Sequence, residues 1–412
     1  SAAQLAFAHR RLAIIDLAVT GHQPMNYSSG ELWITYNGEI YNYIELRIEL
    51  ESKGHVFVTK TDTEVVLAAY KQWGQECTNH FNGMWSFVIW DRIANIFFCS
   101  RDRFGVKPFY YFIDRNIFAF ASELKALAAC PMLQTSLNHA AVADYFVDGE
   151  IEYKTSGFFN NLIELFPGTQ LVVHLDSKKY ELRNWYALRY TEEQADYSEK
   201  RYKKEIENVR ELLVDSIRLR LRSDVPVGSC LSGGIDSSAI SGIIAHLVSD
   251  DKTINVGDRL KLFTAAFKDP KLDESKWAQL VVDATKAEWH KVIPEADELF
   301  RDIESLIYSQ DVPIWSTSTY AQHRVMKLAS DNGIRVLLDG QGGDELFAGY
   351  MPYFIPFWKE LKAHGESARR KTEMSHWGND VVKHRRKETL KQYIVPALPV
   401  GMQMYLQKKY FP

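Results

Sequence analysis

The chain has 412 residues, of which 46% are hydrophobic and 25% are charged, so it can form two or three domains that each bury a core. Its 49 lysines and arginines against 53 acidic residues give a net charge of -4, which excludes a general attraction to nucleic acid or to an anionic membrane. No apolar run approaches the ~20 residues that span a bilayer, and the start lacks the order of a signal peptide. We therefore expect a cytoplasmic protein without nucleic-acid or membrane partners.

The cysteines at positions 77, 99, 130 and 230 show no paired spacing, and each lies in or beside an apolar run. This pattern favours buried free thiols over a disulfide framework or a zinc site.

Residues 1–190 are rich in short strands separated by turn-forming residues. The β-branched and aromatic runs are LAFAHRRLAIIDL, LWITYNGEI, MWSFVIWD, NIFFCSRD, PFYYFID, IFAFAS and TQLVVHLD. Helical periodicity is predicted for YIELRIELESKG, with Ile44, Leu46, Ile48 and Leu50 between charged positions and Gly54 as its stop, and for TDTEVVLAAYKQWG. This half is predicted to be α+β, with stacked antiparallel sheets and helices outside.

A charged stretch at residues 188–200 predicts a linker, and the second domain, residues 200–412, begins with a long amphipathic helix. Val209, Leu212, Leu213 and Ile217 form its apolar stripe. Strands and helices then alternate in the order PVGSCLS, a helix over 237–247, KLFTAAF, DESKWAQLVVDATKA, WHKVIP, STYAQHRVMKLASDNG and RVLLDG. Such alternation predicts an α/β domain with a parallel sheet wrapped by helices.

The stretch SCLSGGIDSSAI, residues 229–240, places a glycine-rich loop where a strand becomes a helix. Backbone N–H groups at a helix N-terminus bind phosphate, and Gly233 and Gly234 let an anion approach closely. The hydroxyls of residues 232, 237 and 238 add donors, and Asp236 is the one carboxylate, best explained as a magnesium ligand. The alternative is a plain tight turn with a serine cap, but the whole string favours phosphate binding. No Gly-Lys-Ser/Thr follows, so it is not a Walker motif.

The string resembles the pyrophosphate loop of ATP pyrophosphatases, and LLDGQGGDELFAGY, residues 337–350, resembles a segment of glutamine-hydrolysing asparagine synthetases. HRRLAIIDL, YNGEIYNY, TKTDTEV, GMWSFVIWD, SRDRFGVKPFYY and ASELKAL are similar to the class II glutamine amidotransferase domain of that family. The resemblance implies an Ntn-hydrolase-like αββα domain followed by an adenine nucleotide α-hydrolase domain. It also implies the use of ATP, Mg²⁺, glutamine and aspartate, and a possible homodimer.

The resemblance implies roles for residues of the first domain. Arg11 would hold the glutamine carboxylate and Asp62 its α-amino group, while Asn37 and the Gly38 N–H would form an oxyanion hole. The full implied glutamine set is Arg11, Leu12, Ala13, Ile14, Ile15, Asn37, Gly38, Glu39 and Asp62.

The resemblance also implies a synthetase site in the second domain. The residues at ATP- and pyrophosphate-binding positions are Cys230, Ser232, Gly233, Gly234, Asp236, Ser237, Ser238, Ala265, Asp339 and Gly340. Asp236 and Asp344 would bind magnesium. Gln341 stands at a catalytic position where the family usually has glutamate, and a neutral amide cannot act as a base.

Two features depart from the family. Class II amidotransferases use an N-terminal cysteine as nucleophile, and no cysteine lies near Ser1. A fragment lacking the first strands is favoured over a domain that lost glutaminase activity, since the glutamine-binding set is intact. We also expect the second domain to be cut short, because the basic segment 366–399 does not match the family. This segment is predicted to be a solvated helical face.

Two other functions remain open. One is an adenylating cyclase or amidating enzyme similar to β-lactam synthetases or lasso-peptide cyclases, although those often lose the YNGEIYN motif. The other is an inactive scaffold, which predicts eroded phosphate-loop residues, whereas the loop is complete.

Overall fold

A computed structural model describes residues 5–149, 157–189, 198–251, 253–314 and 316–376. The chain divides into two compact units, Ser1–Asp339 and Gly340–Pro412. The strands are β1 Met25–Tyr27, β2 Leu32–Ile40, β3 Gly83–Asp91, β4 Ile96–Arg101, β5 Tyr110–Ile113, β6 Phe118–Ala121, β7 Ile163–Glu164, β8 Thr169–His174, β9 Lys179–Asn184, β10 Val227–Cys230, β11 Lys261–Ala265, β12 Glu288–Val292 and β13 Val336–Leu338.

The α-helices are α1 Tyr43–Ser52, α2 Asp62–Trp73, α3 Leu124–Ala128, α4 His139–Asp148, α5 Glu199–Arg220, α6 Ile235–Asp250, α7 Ser275–Thr285, α8 Ala296–Gln310, α9 Thr317–Asp331, α10 Gly343–Phe347, α11 Met351–Ala363 and α12 Ser367–His376. Among the described helices, none combines the length and the apolar character that crossing a membrane requires.

Two antiparallel sheets stack face to face in the first half of the chain. One has the strand order β1-β2-β3-β4-β8-β9 and the other the order β6-β5-β7. Side chains alternate along β4, so Phe98 packs with α1 and α2 while Phe97 packs between the sheets. Along β5, Tyr111 faces the first sheet and Phe112 packs against α3. The predicted α+β order of helix, sheet, sheet and helix is confirmed.

The stretch LAFAHRRLAIIDL is not a strand, and its prediction as one is wrong. The guanidinium of Arg11 donates to carbonyls of its own loop, and Asp16 has a left-handed φ of 56°. Both features curl the chain, so it cannot extend alongside a neighbouring strand. Phe7 still packs between the two sheets, against Phe97 and Phe120, which accounts for the apolar character of the stretch.

Parallel strands form the sheet of the second half, in the order β12-β11-β10-β13. One face packs on α5, α6 and α7, and the other face packs on α9, so the prediction of a parallel sheet wrapped by helices is confirmed. The chain runs from β10 outward to β12 and then returns to the other side of β10 as β13. This reversal is a topological switch point, where open α/β sheets bind ligands beyond the carboxyl ends of their strands.

Some helical details differ from the expected pattern. In α1, Leu46 and Leu50 are buried, whereas Ile44 and Ile48 are 40% and 63% exposed. In α5, only Ile217 of the predicted stripe is fully buried, because the helix contacts the rest of the chain through its last turns. Helix α8 is not among the predicted elements, although Glu295 and Glu298 form a capping box at its start.

The thiols of Cys77 and Cys99 are buried and free, as predicted, and burial raises the pKa of each. Cys130 and Cys230 are also free but only half-buried.

In the second unit, α10, α11 and α12 follow one another, and Trp358 and Leu361 of α11 form a small core with Met374 of α12. The predicted solvated helix over 366–399 is described only as far as His376, and the remainder lies outside the described residues.

Candidate functional site

The Asn-Gly-Glu motif lies near the end of β2, paired with β3. Asn37 opposes Ser86, and Gly38 opposes Trp85. Since Tyr36 and Ile40 point into the core with α2, alternation directs Asn37 toward the second sheet. There its amide Nδ2 donates to Ser122 Oγ over 3.4 Å, which fixes the amide plane that an oxyanion hole would need.

Asp62 is the first residue of α2, and its carboxylate is buried. Its Oδ2 accepts hydrogen bonds from the Tyr36 hydroxyl at 2.8 Å and from the Ile40 N–H at 3.0 Å. Burial raises the pKa of Asp62, and these hydrogen bonds oppose that rise. Asp62 is thereby fixed against the same strand that carries Asn37 and Gly38.

Glu39 is a buried carboxyl group two residues beyond Asn37. Burial, followed by repulsion from Asp62, raises its pKa to about 7, while Lys107 and Arg220 act in the opposite direction. Burial lowers the pKa of Lys107, and Glu39 opposes that change. Three of the residues near this site, Lys107, Arg220 and Ser122, are not among the predicted site residues. Lys107 and Ser122 nevertheless lie inside the family-like segments SRDRFGVKPFYY and ASELKAL.

Replacing Glu39 with glutamine should flatten the pH dependence of stability. The folded chain keeps the Glu39 proton up to about pH 7, whereas the unfolded chain loses it near 4.5, so the folded state binds more protons between these values. Relative to E39Q, the parent protein should therefore lose up to about 3 kcal/mol of stability as pH rises through this window. Urea unfolding of both proteins at pH 5 and pH 8 measures the difference, and parallel pH profiles would contradict it.

Arg11 lies in the loop that precedes β1. Its guanidinium donates to the carbonyls of Ile15 and Asp16, at 2.7 Å each, and to that of Ala18 at 3.3 Å. Of the neighbouring predicted residues, Leu12 is 62% exposed, Ala13 and Ile14 are half-buried and Ile15 is buried. The structure thus shows Arg11 shaping its own loop, and its contact with glutamine stays a prediction.

The loop after β10 has a conformation that only glycine suits. Gly233 has a φ of 99°, and a side chain there would come within 2.7 Å of the Glu274 carbonyl at the start of α7. Ser232 Oγ accepts from the Gly234 N–H at 3.1 Å and lies 3.0 Å from Ser237 Oγ. These bonds fix the loop, and the half-buried Asp236 and Ser238 follow in the first turn of α6.

The carboxyl ends of neighbouring strands bring further predicted residues to the same edge of the sheet. Cys230 ends β10, Ala265 ends β11 and Asp339 follows β13. The Cys230 side chain is hydrogen-bonded to Asp339, and burial, followed by this carboxylate, raises the pKa of the thiol. Gln322 Nε2 of α9 donates to Asp339 Oδ2 at 3.1 Å. The predicted nucleotide positions of this unit therefore flank the switch point.

The remaining predicted positions belong to the second unit. Gly340 accepts the Gly343 N–H at 3.1 Å, and the exposed Gln341 lies within that turn. The Asp344 carboxylate in α10 lies directly against Gly349, which leaves no room for a side chain there. This packing accounts for the second glycine of GDELFAG.

Comparison with known proteins gives two family matches. A glutamine amidotransferase domain matches residues 1–186, and an asparagine synthase domain matches residues 208–399. The second match includes the basic segment 366–399, so the expectation that this segment does not match the family is wrong. A protein of Methanocaldococcus jannaschii named putative asparagine synthetase [glutamine-hydrolyzing] 2 is 37% identical over 85% of this chain and 67% of its own length. Asparagine synthetase [glutamine-hydrolyzing] 3 of Bacillus subtilis is 33% identical over 84% of this chain and 56% of its own length.

A third relative, amidase chry2 of Gibberella zeae, is 30% identical over 84% of this chain and 51% of its own length. The chain thus spans between about half and two thirds of the length of these three relatives. The identity to the Methanocaldococcus protein, together with both domain matches, shows that the chain belongs to the family of glutamine-hydrolysing asparagine synthetases.

Proposed function

We propose that the protein carries out ATP-dependent synthesis of asparagine from aspartate, with glutamine as the nitrogen donor. The observation that carries this proposal is the glycine-rich loop Ser232–Gly234 at the switch point of the parallel sheet, followed by the N-terminus of α6. A phosphate group bound there meets backbone N–H donors and the positive end of a 16-residue helix. The glutamine set lies in the same compact unit.

ATP would bind with its phosphates on this loop and its nucleoside near Cys230, Ala265 and Asp339. The loop suits phosphate because Gly233 keeps a left-handed φ of 99° beside the start of α7, and the two glycines carry no side chains that would crowd a ligand. Asp236 would hold Mg²⁺ through its carboxylate, and the ion would neutralise negative charge on the phosphates. Within the described residues, no three His, Cys, Asp or Glu side chains form a metal-binding group, which suits a metal brought in with ATP. The family resemblance also implies a magnesium-binding role for Asp344.

The proposed reaction has two steps. An oxygen of the aspartate side-chain carboxylate attacks the α-phosphorus of ATP, and the bond to pyrophosphate breaks. Ammonia then attacks the carbonyl carbon of the acyl adenylate, loses a proton, and AMP leaves. Adenylation is needed because a carboxylate oxygen is a poor leaving group. Donors on the loop and on α6 would stabilise the charge that develops on the phosphates.

Ammonia would come from glutamine in the first domain. Arg11 would bind its carboxylate and Asp62 its amino group, and the Asn37 amide with the Gly38 N–H would stabilise the oxyanion. The resemblance also implies a homodimer, which sedimentation velocity can test.

A second candidate keeps the adenylation step and changes the acceptor. It is favoured by Gln341, whose neutral amide stands where the family usually has a glutamate, and by the similarity to a relative named amidase chry2. An amidating or ring-closing enzyme of this kind would adenylate a carboxylate other than that of aspartate.

One assay separates these possibilities. The purified protein is incubated with ATP, Mg²⁺ and ammonium, with or without aspartate, while pyrophosphate is measured and products are identified by mass spectrometry. Aspartate-dependent release of AMP and pyrophosphate together with asparagine is the expected result. Pyrophosphate release that ignores aspartate but responds to another carboxylic acid would support the second candidate instead.

A further inference from the structure

Residues 220–224 comprise the last residue of α5 and the first four residues of the segment that leads to β10; we refer to them as the connector. The connector belongs to the synthetase half of the chain, and the loop Ser232–Gly234 follows it by only eight residues. Its contacts reach the Arg11 loop, the end of β2 and the start of α1. Such contacts suggest that the synthetase half helps to shape the glutamine site.

Asp224 makes the most specific of these contacts. Its Oδ2 accepts the backbone N–H of Asp16 at 2.7 Å, and its own N–H donates to the Ile14 carbonyl at 3.0 Å. The two hydrogen bonds run in opposite directions, so they fix both the position and the orientation of the loop backbone. Asp16 is only 9% exposed, so its N–H has little access to water as an alternative acceptor.

This loop positions two residues that the proposal assigns to glutamine. The carbonyls of Ile15 and Asp16 accept the Arg11 guanidinium at 2.7 Å each. The Asp16 carboxylate accepts the Lys60 N–H at 2.8 Å, two residues before Asp62. A displacement of Asp16 would therefore disturb Arg11 and the turn that leads to Asp62.

Arg222 and Arg220 reinforce the connector nearby. Arg222 forms a bidentate ion pair with Glu45, at 2.7 and 2.6 Å, and donates to the Tyr41 carbonyl at 2.6 Å. The Arg220 guanidinium lies 4.8 Å from the centre of the Tyr41 ring. Tyr41 follows Glu39 by two residues, so both arginines contact the chain directly after the strand that carries the proposed oxyanion hole.

The connector is itself held from the synthetase side. Asn255 Nδ2 donates to the Asp224 carbonyl at 3.1 Å, and the Asn255 carbonyl accepts the Val227 N–H at the start of β10 at 2.9 Å. Asp224 is thus attached to the parallel sheet on one side and to the Arg11 loop on the other.

We propose that Asp224 is a positioning residue for glutamine binding, contributed by the synthetase half of the chain through its hydrogen bond to the Asp16 N–H. The inference rests on the proposed function, because it assigns Asp224 a role in the proposed glutamine site. The geometry requires a hydrogen-bond acceptor at position 224. Asparagine at this position should therefore preserve glutamine binding, whereas alanine should not.

The test measures the affinity for L-glutamine by calorimetry and ammonium-dependent asparagine synthesis in parallel. D224A should weaken glutamine binding about tenfold, because it leaves a buried N–H without an acceptor. D224N keeps an acceptor oxygen and should bind glutamine within about threefold of the parent protein. D251A is the matched control, since Asp251 also accepts a backbone N–H, from Thr253 at 2.8 Å, in an exposed turn of the same half.

Ammonium-dependent synthesis separates positioning from general damage. The proposal expects D224A to keep the parent rate with ammonium, because Asp224 acts on the glutamine side. Unchanged glutamine affinity in D224A, or an equal loss in D224A and D224N, would overturn it, as would a matching loss of the ammonium-dependent rate. Should D224A not fold, R222Q tests the same connector: it removes the ion pair with Glu45 and should weaken glutamine binding, whereas unchanged glutamine affinity in R222Q would overturn a role of the connector in positioning the site.

The outcomes remain distinguishable from those of the function itself. A parent protein that makes no asparagine from ammonium would overturn the proposed synthetase activity, while the glutamine affinities would still decide the role of Asp224.

Discussion

Replacing Asp236 with asparagine should lower aspartate-dependent pyrophosphate release by about 100-fold or more. Asp236 lies in the first turn of α6, immediately after Gly234, and is the one carboxylate within the loop. Asparagine keeps the shape of the side chain but removes the negative charge that would hold Mg²⁺ against the phosphates. Loss of one group that stabilises developing charge typically costs about 10²–10³ in rate, which sets the expected magnitude.

The matched control is Asp250→Asn at the last residue of the same helix, where the side chain is exposed and 3.6 Å from His246. D250N should release pyrophosphate at the parent rate. Rates are measured over a range of Mg²⁺ concentrations, since a lost ligand should raise the requirement for the metal. Undiminished release by D236N at every concentration would remove Asp236 from the mechanism.

Replacing Gly38 with alanine should both destabilise the first domain and abolish measurable glutamine binding. An added Cβ would collide with the Met84 carbonyl and come within 2.8 Å of the Trp85 Cα on β3. Neither contact is with the end of a flexible side chain, so β2 and β3 must separate. Overpacking of this kind costs about 1–3 kcal/mol. The displacement would move Asn37 and the Gly38 N–H, which the proposal assigns to the oxyanion hole.

Gly242→Ala is the control, because a Cβ at this position in α6 meets no heavy atom within 4 Å. Alanine has the higher helix propensity, so G242A should be as stable as the parent protein or more stable by up to about 1 kcal/mol. Urea unfolding and glutamine calorimetry on both variants measure the contrast. A G38A protein that unfolds at the parent midpoint and binds glutamine normally would contradict the packing argument.

Much of the fold could be predicted because its elements are specified locally. The run LWITYNGEI is β2 residue for residue, and the alternating strands and helices after residue 226 all occur near their expected places. The failures also have physical causes. LAFAHRRLAIIDL has the composition of a strand, but Arg11 and Asp16 bend it. The apolar stripe of α5 predicts more buried residues than the structure has, because only the last turns of this helix pack against the rest of the chain.

The sequence by itself determined which residues we propose for the chemistry, because the phosphate loop and the Asn-Gly-Glu motif are short strings whose spacing is set within one strand and one turn. Only the tertiary structure decided what holds them. Asp224 is 208 residues from the Asp16 N–H that it accepts, and the charges of Lys107 and Arg220, from distant parts of the chain, oppose the rise that burial causes in the pKa of Glu39. Such contacts depend on how separate elements pack. The residues around a hydrogen-bond acceptor show no periodic pattern, so its distant partner cannot be predicted from the sequence nearby.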